Sequence, residues 1–400
     1  MRIALFHNAP SGGAKRSIYE WGRRLSREHH IDVYTLSGAN HDFCDVRPYV
    51  DRHRVFEYRP KRLFQSPFGR CNQLQRWRGL GDLDRLGRQI ASELDAGGYD
   101  VLFAHTCIYT CIPTALQWVK TPAVYYLHEP FGPSFMPTLQ HPYAKAVGWR
   151  SVVDHIDPVI KLYGSRLKEL QRRSVRSTRR LLANSKFTQQ RMEADFGIEA
   201  PVCALGVNSE EFRPLPHVRK EDHVLSVGEL SPRKGFDFIV ESLGRMPREQ
   251  RPKLKLACNR VEPAERNYVE RLAAERAVRI EVLTNLDSSA LAEEYNRARL
   301  CLYTPVMEPF GLVPLEAMSC GTAVVGVDEG GVKESVVNRQ TGLLTDREPE
   351  QFAAAVRMLL SDPGLAEEYG RNGRELIESQ WSWERSASIV AEHLRDCART

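Results

Sequence analysis

The sequence lacks any long apolar stretch. No hydrophobic run in the 400-residue chain approaches the length of about 20 residues that an α-helix needs to cross a bilayer. The apolar residues at the amino terminus end at His7, too early for the hydrophobic region of a secretory signal peptide. The pattern therefore predicts a cytoplasmic protein that is soluble or peripheral to a membrane.

The cysteines also lack the spacing that is typical of a zinc site. The chain has nine cysteines, an odd number, and Cys107 and Cys111 have no second pair or histidine partner at a zinc-binding spacing. Cys203, Cys258 and Cys301 lie in apolar contexts, which is typical of buried reduced thiols. We therefore expect a reducing compartment, no metal site and no cofactor.

Three common ligand-binding motifs are missing. The glycine-containing loop after the first predicted strand is not G-x-G-x-x-G, and no G-x-x-x-x-G-K-[ST] loop occurs. Asp82-Leu83-Asp84 has the spelling of a D-x-D metal motif, but no apolar strand precedes it. Apolar residues recur at helical spacing after it, so we expect these acids to lie in the first turn of a helix.

Apolar strands alternate with amphipathic helices along most of the chain, which predicts an α/β protein with parallel sheets. A polar stretch from 206 to 223 interrupts the alternation, so we predict an amino-terminal domain over 1–206 and a carboxy-terminal domain over 207–380. A helix is predicted over 109–119. Predicted strands include 2–7, 31–36, 55–58, 101–105, 123–128, 202–205, 224–227, 300–303 and 322–325.

The stretch from Glu308 to Gly331 has the strongest local pattern. It follows a predicted buried strand and contains a predicted helix from Val313 to Ser319. Gly321 stands where a left-handed residue ends a helix. A loop in this place lies at the carboxyl edge of a parallel sheet, where α/β proteins bind ligands.

Two carboxylates, Glu308 and Glu316, flank the start of that helix. Between them, the N–H groups of Phe310, Gly311 and Leu312 are free at the positive end of the helix dipole. Carboxylates accept hydrogen bonds from hydroxyls, and such N–H groups donate to phosphate or sugar oxygens. The set predicts a site for a polyhydroxylated, phosphorylated ligand; the alternative is an ordinary helix start with acidic residues.

A second motif, Gly228 to Gly235, follows a predicted strand and reads GELSPRKG. Its adjacent cations, Arg233 and Lys234, lie at a loop–helix junction, a placement that suits a diphosphate. Neighbouring surface cations without a ligand are the alternative.

Together the two motifs resemble those of the retaining glycosyltransferase family 4, which has the GT-B fold. Glu308 and Glu316 match the family's E-x7-E pattern, and Gly228 to Gly235 match G-x-L-x-x-x-K-G. The resemblance covers nearly the whole chain. It implies two Rossmann-like domains facing an interdomain cleft, with acceptor in the first, nucleotide sugar in the second, and a last helix within 381–398 crossing back to the first.

The resemblance also implies roles for individual residues. Arg233 and Lys234 would stabilise the leaving diphosphate without a metal, Glu308 would hold sugar hydroxyls, and Glu316 would hold the ribose. His128, at the end of a predicted strand, would contact the sugar from the opposite domain, unless it is a structural histidine. The implied catalytic residues are His128, Arg233, Lys234 and Glu308. The implied nucleotide-sugar site comprises Gly12, Gly13, Gly228, Arg233, Lys234, Glu308, Phe310, Gly311, Leu312 and Glu316.

The implied activity is retaining transfer of a hexosyl unit from a UDP- or GDP-sugar to a glycan or lipid-linked acceptor, in polysaccharide or glycolipid biosynthesis. A GT-B phosphorylase, a sugar epimerase and a non-catalytic partner subunit are the alternatives, and no nucleic-acid partner is expected. One departure stands out. Family members often have Pro-Glu after the Gly-Gly, whereas this chain has Val332, Lys333 and Glu334. Lys333 either changes nucleotide contacts or is solvated.

Two segments of the first half are strongly basic. Residues 52–88 contain ten basic and three acidic side chains, and residues 145–180 contain the same numbers. The 61–81 segment is also aromatic, and Pro158 is expected to kink or divide a long helix over 143–180. Peripheral contact with the anionic inner face of the cell membrane is one interpretation, and a solvated surface is the other.

Overall fold

Two six-stranded parallel sheets organise the part of the chain that the computed structural model describes, residues 1–64, 72–129, 141, 143 and 158–399. The first has the order β3-β2-β1-β4-β5-β6 and the second β12-β11-β10-β7-β8-β9. The strands are β1 (Arg2–Asn8), β2 (His30–Leu36), β3 (Arg52–Phe56), β4 (Val101–Cys107), β5 (Ala123–Leu127), β6 (Arg180–Ala183), β7 (His223–Val227), β8 (Lys253–Cys258), β9 (Ile280–Thr284), β10 (Leu300–Tyr303), β11 (Val324–Val327) and β12 (Gly342–Thr345).

Helices connect the strands and cover the sheets. They are α1 (Gly13–Leu25), α2 (Asn72–Ala96), α3 (Pro158–Ser177), α4 (Lys186–Phe196), α5 (Phe236–Gly244), α6 (Pro263–Arg276), α7 (Ser288–Arg297), α8 (Leu312–Ser319), α9 (Val332–Ser335), α10 (Pro349–Ser361), α11 (Pro363–Gln380) and α12 (Trp383–Arg399). Short 3-10 turns occur at Arg47–Tyr49, Thr114–Gln117, Pro232–Lys234 and Arg248–Gln250. The predicted α/β class is confirmed.

Each sheet reverses its strand order once, between β1 and β4 in the first sheet and between β7 and β10 in the second. Loops that leave neighbouring strands at such a reversal diverge to opposite faces and open a crevice at the carboxyl edge. The Gly12-Gly13 loop follows β1, the Gly228–Gly235 loop follows β7, and the Glu308 loop follows β10. The fold therefore brings these sequence motifs to two ligand-binding edges.

The helix predicted over 109–119 is wrong. Only a 3-10 turn, Thr114–Gln117, forms there. Cys111 has a left-handed backbone with φ of 60°, and Pro113 disfavours a helical conformation at Ile112. These two constraints leave too little chain for an α-helix.

The strand predicted over 202–205 forms only an isolated bridge between Ala183 and Val202, and the strand predicted over 55–58 lies at Arg52–Phe56. Two further predicted boundaries are wrong as well. Helix α2 already begins at Asn72, so Asp82 lies well inside it, where it pairs with Lys61 at 3.0 Å rather than interacting with a helix start. Strand β11 begins two residues later than predicted because Thr322 still belongs to the end of α8: its N–H donates to Ala317 at 2.9 Å. With Gly321 left-handed at φ 73°, this is a Schellman motif.

Parts of two predicted segments lie outside the described residues, namely 65–71 of the 61–81 segment and 144–157 of the helix predicted over 143–180. In the described remainder, α3 begins at Pro158 and packs beside α2. None of the described helices is long and apolar enough to cross a membrane.

The carboxy-terminal helix α12 packs on α1, at the opposite end of the sequence. Trp21 and Trp383 meet edge to face with ring centroids 6.0 Å apart, and both are almost completely buried. The indole N–H of Trp21 donates to Ser386 at 2.9 Å. The chain crosses from one half to the other twice, near Val207 and near Trp381. These two crossings lie side by side, since the Val207 N–H donates to the Trp381 carbonyl at 2.8 Å. The ends of the chain thus stabilise each other.

We predict that Trp383→Ala lowers the free energy of unfolding by about 3–5 kcal/mol, because a buried indole is replaced by a cavity. Urea unfolding followed by circular dichroism measures this. Trp77→Ala is the matched control, since Trp77 is 37% exposed, and it should change the midpoint little. Equal effects of the two substitutions would contradict the packing role of α12.

Candidate functional site

Arg233 and Lys234 converge on Glu308 at the reversal point of the second sheet. The Lys234 ammonium lies 2.9 Å from Glu308 Oε2, and the Arg233 guanidinium lies 3.7 Å from the same oxygen. Burial alone would raise the pKa of Glu308, but Lys234 and Arg233 bring it below its ordinary value. Glu308 is therefore a charged carboxylate at neutral pH, and it holds the two cations in place.

The backbone fixes this arrangement from both loops. The Val306 N–H donates to the Arg233 carbonyl at 2.8 Å, which joins the loop after β10 to the loop after β7. Gly228 has a φ of 156°, and a Cβ built on it would lie 3.3 Å from the Lys234 stem. Glycine at this position therefore lets the lysine side chain cross the loop toward Glu308.

The Glu308 loop is packed against the glycine pair that follows β11. The Gly331 N–H donates to the Glu308 carbonyl at 2.9 Å. A Cβ on Gly330 would collide with the Glu308 backbone, and one on Gly331 would collide with Pro309. Among the described residues no side chain caps α8 at Gly311, which leaves the first N–H groups of that helix available to a ligand.

Glu316 lies deeper than its predicted role suggests. It is 5% exposed and both of its oxygens have partners: Oε1 pairs with Arg16 of α1, and Oε2 accepts from the Tyr295 hydroxyl at 2.8 Å. Burial raises the pKa of Glu316, and Arg16 offsets this in part. The two glutamates of the E-x7-E pattern therefore differ: the pKa of Glu308 is lowered, whereas that of Glu316 is raised.

Several contacts join the two halves across the cleft beside this loop. The Ser185 hydroxyl donates to the Pro309 carbonyl at 2.5 Å, and a Cβ on Gly13 would lie 3.5 Å from Leu312. The Glu334 carboxylate accepts from the N–H groups of Lys186 and Phe187, at 2.8 and 2.9 Å. A carboxylate of the second half thus caps α4 of the first, and the Glu308 loop lies between the halves.

Lys333 and Glu334, which stand where the sequence departs from the family's Pro-Glu, lie in different surroundings. Glu334 forms the interdomain cap, whereas Lys333 is 57% exposed and lies 3.8 Å from Asp328. On the other side of the cleft, Glu129 lies 3.7 Å from Arg233 and is 57% exposed. Arg233 therefore faces carboxylates of both halves.

His128 belongs to a buried cluster of histidines at the carboxyl edge of the first sheet. Its Nε2 lies 3.0 Å from His105 Nδ1, and its Nδ1 lies 3.5 Å from the Ser17 hydroxyl. Burial lowers the pKa of His128 to about 3 and lowers those of His7 and His105 as well. These imidazoles are therefore neutral, and His128 is only 7% exposed.

Lys15 is buried in the same cluster. Its ammonium lies 3.3 Å from His7 Nε2, and within the described chain it forms no ion pair. Burial lowers the pKa of Lys15 to about 8. A buried cation without a carboxylate at contact distance lowers the stability of the fold.

The two basic segments lie together although they are separate in sequence. Helices α2 and α3 form the walls of a groove of about 670 Å³. Its lining includes Lys61, Trp77, Arg78, Arg85, Leu162 and Arg166. The groove combines apolar and cationic side chains on the surface of the first half.

Sequence reasoning missed the residues that make contacts across the cleft, namely Arg16, Glu129, Ser185 and Glu334. It also missed Tyr295, which donates to Glu316 within the second half. The Ser185 hydroxyl also caps α4, since it accepts from the Thr188 N–H at 3.0 Å. Arg16 lies three residues after Gly13, but a single arginine there gives no signal for a partner 300 positions away. These contacts depend on how the two halves meet.

Two family models match the chain. The model described as Glycosyltransferase Family 4 matches residues 11–211, and the one described as Glycosyl transferases group 1 matches residues 207–376.

Among curated relatives, the alpha-maltose-1-phosphate synthase of Mycolicibacterium smegmatis is 34% identical over 207 residues, 49% of this chain and 51% of that protein. The D-inositol 3-phosphate glycosyltransferase of Paenarthrobacter aurescens is 28% identical, with 58% and 60% covered. The chain thus matches about half of the length of these relatives.

Solved structures resemble the whole chain. Sucrose-phosphate synthase from Thermosynechococcus elongatus superposes with a TM-score of 0.73 at 20% identity, covering 99% of this chain and 98% of that one. Anabaena HepE, solved with UDP and glucose, gives a TM-score of 0.73 at 18% identity, covering 98% and 99%. These likenesses confirm the predicted fold class, two Rossmann-like domains in the GT-B arrangement.

The buried Lys15 gives a pH-dependent prediction. Its pKa in the folded protein is about 8, below the ordinary 10.5, so protonation costs the folded state stability below pH 8. That cost disappears as the pH rises from 8 to 10.5, and it amounts to about 3 kcal/mol at most. We therefore expect Lys15→Met to gain stability relative to the wild type at pH 7 and to lose most of this gain by pH 10.

Urea midpoints at the two pH values measure the difference. Lys186→Met, at an exposed lysine, should show no such change with pH. A stability difference between Lys15→Met and the wild type that stays constant from pH 7 to pH 10 would contradict the assigned environment of Lys15.

Proposed function

The chain belongs to glycosyltransferase family 4, and we propose that it is a retaining hexosyltransferase. It moves a hexosyl unit from a nucleoside-diphosphate sugar to a glycan or lipid-linked acceptor in polysaccharide or glycolipid biosynthesis. The observation that carries the proposal is the convergence of Arg233 and Lys234 on Glu308 at the reversal point of the second sheet. This is where an open α/β sheet binds a phosphorylated ligand.

The donor is a UDP- or GDP-sugar, and its diphosphate takes Arg233 and Lys234 as partners. Both cations are partly exposed at 30% and 22%, so a ligand can reach them. Each charge-assisted bond to a phosphate oxygen contributes about 1.5–3 kcal/mol. Anabaena HepE, whose solved structure contains UDP and glucose, supports a nucleotide-sugar donor by its likeness in fold.

The same cations stabilise the transition state. As the bond from the sugar C1 to the phosphate oxygen breaks, negative charge grows on the phosphate, and Arg233 and Lys234 neutralise it without a metal. The acceptor oxygen bonds to C1 on the face that the phosphate leaves, and its proton passes to the departing phosphate oxygen. This front-face displacement retains the anomeric configuration.

Glu308 holds the sugar and is not a nucleophile in this mechanism. Its carboxylate accepts hydrogen bonds from sugar hydroxyls, and the N–H groups of Phe310, Gly311 and Leu312 donate to the donor's oxygens. When the diphosphate binds Lys234, Glu308 becomes free to accept from the sugar. The ion pair at 2.9 Å therefore keeps both partners positioned before the donor arrives.

Glu316 binds the ribose hydroxyls only after the cleft opens. In the closed arrangement Arg16 and Tyr295 occupy its oxygens, and the carboxylate is 5% exposed. Donor entry must therefore separate α1 from α8. His128 stays neutral and faces the sugar from the first half, supported by His105.

The acceptor binds to the first half. The groove between α2 and α3 combines Trp77 with Arg78, Arg85 and Arg166, which suits an anionic glycan or lipid-linked acceptor or the anionic face of a membrane. In this proposal the groove directs the acceptor hydroxyl toward the cleft, and contact with the membrane is peripheral.

The test compares Lys234→Ala with Lys253→Ala. Both lysines pair with a glutamate in the second half, Lys234 with Glu308 at 2.9 Å and Lys253 with Glu281 at 2.6 Å. Loss of one charge-assisted bond should weaken UDP binding about ten- to hundredfold in Lys234→Ala. Acceptor-dependent release of the nucleoside diphosphate should fall at least as much, and Lys253→Ala should keep both.

Thermal shifts with UDP-, GDP- and ADP-sugars identify the donor. A donor at 100 times its dissociation constant adds about 2.7 kcal/mol of stability. Full transfer by Lys234→Ala would contradict the assigned role of the lysine. The absence of a shift with every donor would contradict the proposed function.

A further inference from the structure

A second cluster of charged side chains lies beside the donor-binding turn and has no part in the proposed transfer. It consists of His141, Asp237 and Glu265. Asp237 stands in the first turn of α5 and Glu265 in the first turn of α6. His141 belongs to the first half of the chain and reaches across to both helices. The ring Nδ1 lies 4.0 Å from Asp237 Oδ2 and 3.6 Å from Glu265 Oε2.

Both the histidine and one carboxylate are buried in this cluster. Glu265 is 0% exposed and His141 is 5% exposed. Within the described residues, Glu265 Oε1 and His141 Nδ1 have no hydrogen-bond partner. Tyr143 donates its hydroxyl to Glu265 Oε2 and so orients the carboxylate. A buried carboxylate with one unpartnered oxygen lowers the stability of the fold, and a bound cation would remove this destabilisation.

The surrounding charge is negative. The acids Asp237 and Glu262 are neighbours of Glu265. A single imidazole cannot balance these carboxylates. The cluster therefore has the electrostatics of a cation site.

We propose that His141, Asp237 and Glu265 bind a divalent transition-metal ion of the Zn²⁺ class. One imidazole nitrogen and two carboxylate oxygens form a ligand set that Zn²⁺ accepts. All three ligand atoms lie within 4.8 Å of one another. Ligands at about 2.0–2.2 Å from a tetrahedral ion are about 3.3–3.6 Å apart, so small side-chain shifts suffice.

A second cluster, which also has one imidazole and two carboxylates, shows what distinguishes a metal site. In the group His30, Asp32 and Asp51, the imidazole stands between the carboxylates: Nε2 lies 3.2 Å from Asp32 and Nδ1 lies 3.0 Å from Asp51. The two carboxylates face different ring nitrogens, so they do not converge on one ligand atom of the histidine. In the His141 cluster both carboxylates face the same nitrogen, which suits a metal ion.

The metal would join the two halves of the chain next to the donor site. Helix α5 begins at Phe236, directly after the turn that contains Arg233 and Lys234. An ion held by His141 from the first half and by α5 and α6 from the second would fix that turn against the opposite side of the cleft. Its role is structural, and it does not rest on the proposed transferase activity.

Direct metal binding tests the proposal. Zn²⁺ is titrated into the chelator-stripped full chain in competition with a chromogenic chelator, and bound Co²⁺ reports its ligands by visible absorption. We expect one site in the wild type that weakens by more than about 100-fold in His141→Ala and in Glu265→Gln. His30→Ala is the matched control and should keep the site.

Circular dichroism establishes that each variant is folded, and a Zn²⁺-dependent rise in the melting temperature should disappear in the same two variants. Glu265→Gln keeps the size of the side chain, so it separates metal binding from packing. Unchanged Zn²⁺ affinity in both variants, or no binding to the wild type, would overturn the proposal. Loss of the site in His30→Ala instead would assign the metal to the other cluster.

Discussion

The contact between Glu308 and the two cations Arg233 and Lys234 is the interaction on which the rest of the site depends. A carboxylate that is 18% exposed would be costly alone, and two adjacent cations would repel each other without it. Their pairing lets the chain place three charges at one sheet edge before any ligand is present. In the proposed function, a diphosphate replaces the carboxylate as the partner of the cations, and the carboxylate then becomes available to the sugar.

The position of this contact follows from topology. Both loops leave neighbouring strands where the strand order of the second sheet reverses, and the glycines at 228, 330 and 331 let the loops pack closely. The first half supplies the other wall of the cleft. From that side Arg16 pairs with Glu316 of α8, Ser185 donates to the Glu308 loop, and amides of α4 donate to Glu334. In the proposed function, donor entry therefore requires the two halves to separate.

Local sequence patterns predicted much of the fold. Apolar runs marked the strands because both faces of a parallel sheet are buried. Gly321 marked a helix end that forms a Schellman motif. The helix predicted over 109–119 does not form, because Pro113 and the left-handed Cys111 outweigh the helical spacing of its apolar residues. Asp82 was misplaced because the helix begins ten residues before it.

The site was predictable only within each half. Glu308, Arg233 and Lys234 belong to recognisable motifs, and the structure brings them together. The partners of Glu316, the cap formed by Glu334 and the neutral state of His128 depend on how distant segments meet, and no local pattern encodes that. Identical residue types, as in Glu308 and Glu316, differ only through their surroundings.

A crystal structure of the chain with a bound nucleoside-diphosphate sugar tests the central claim most directly. The account predicts that the Lys234 ammonium and the Arg233 guanidinium lie within hydrogen-bond distance of the diphosphate, and that Glu308 has left Lys234 for a sugar hydroxyl. A diphosphate bound away from these cations, with the contact between Lys234 and Glu308 intact, would contradict it.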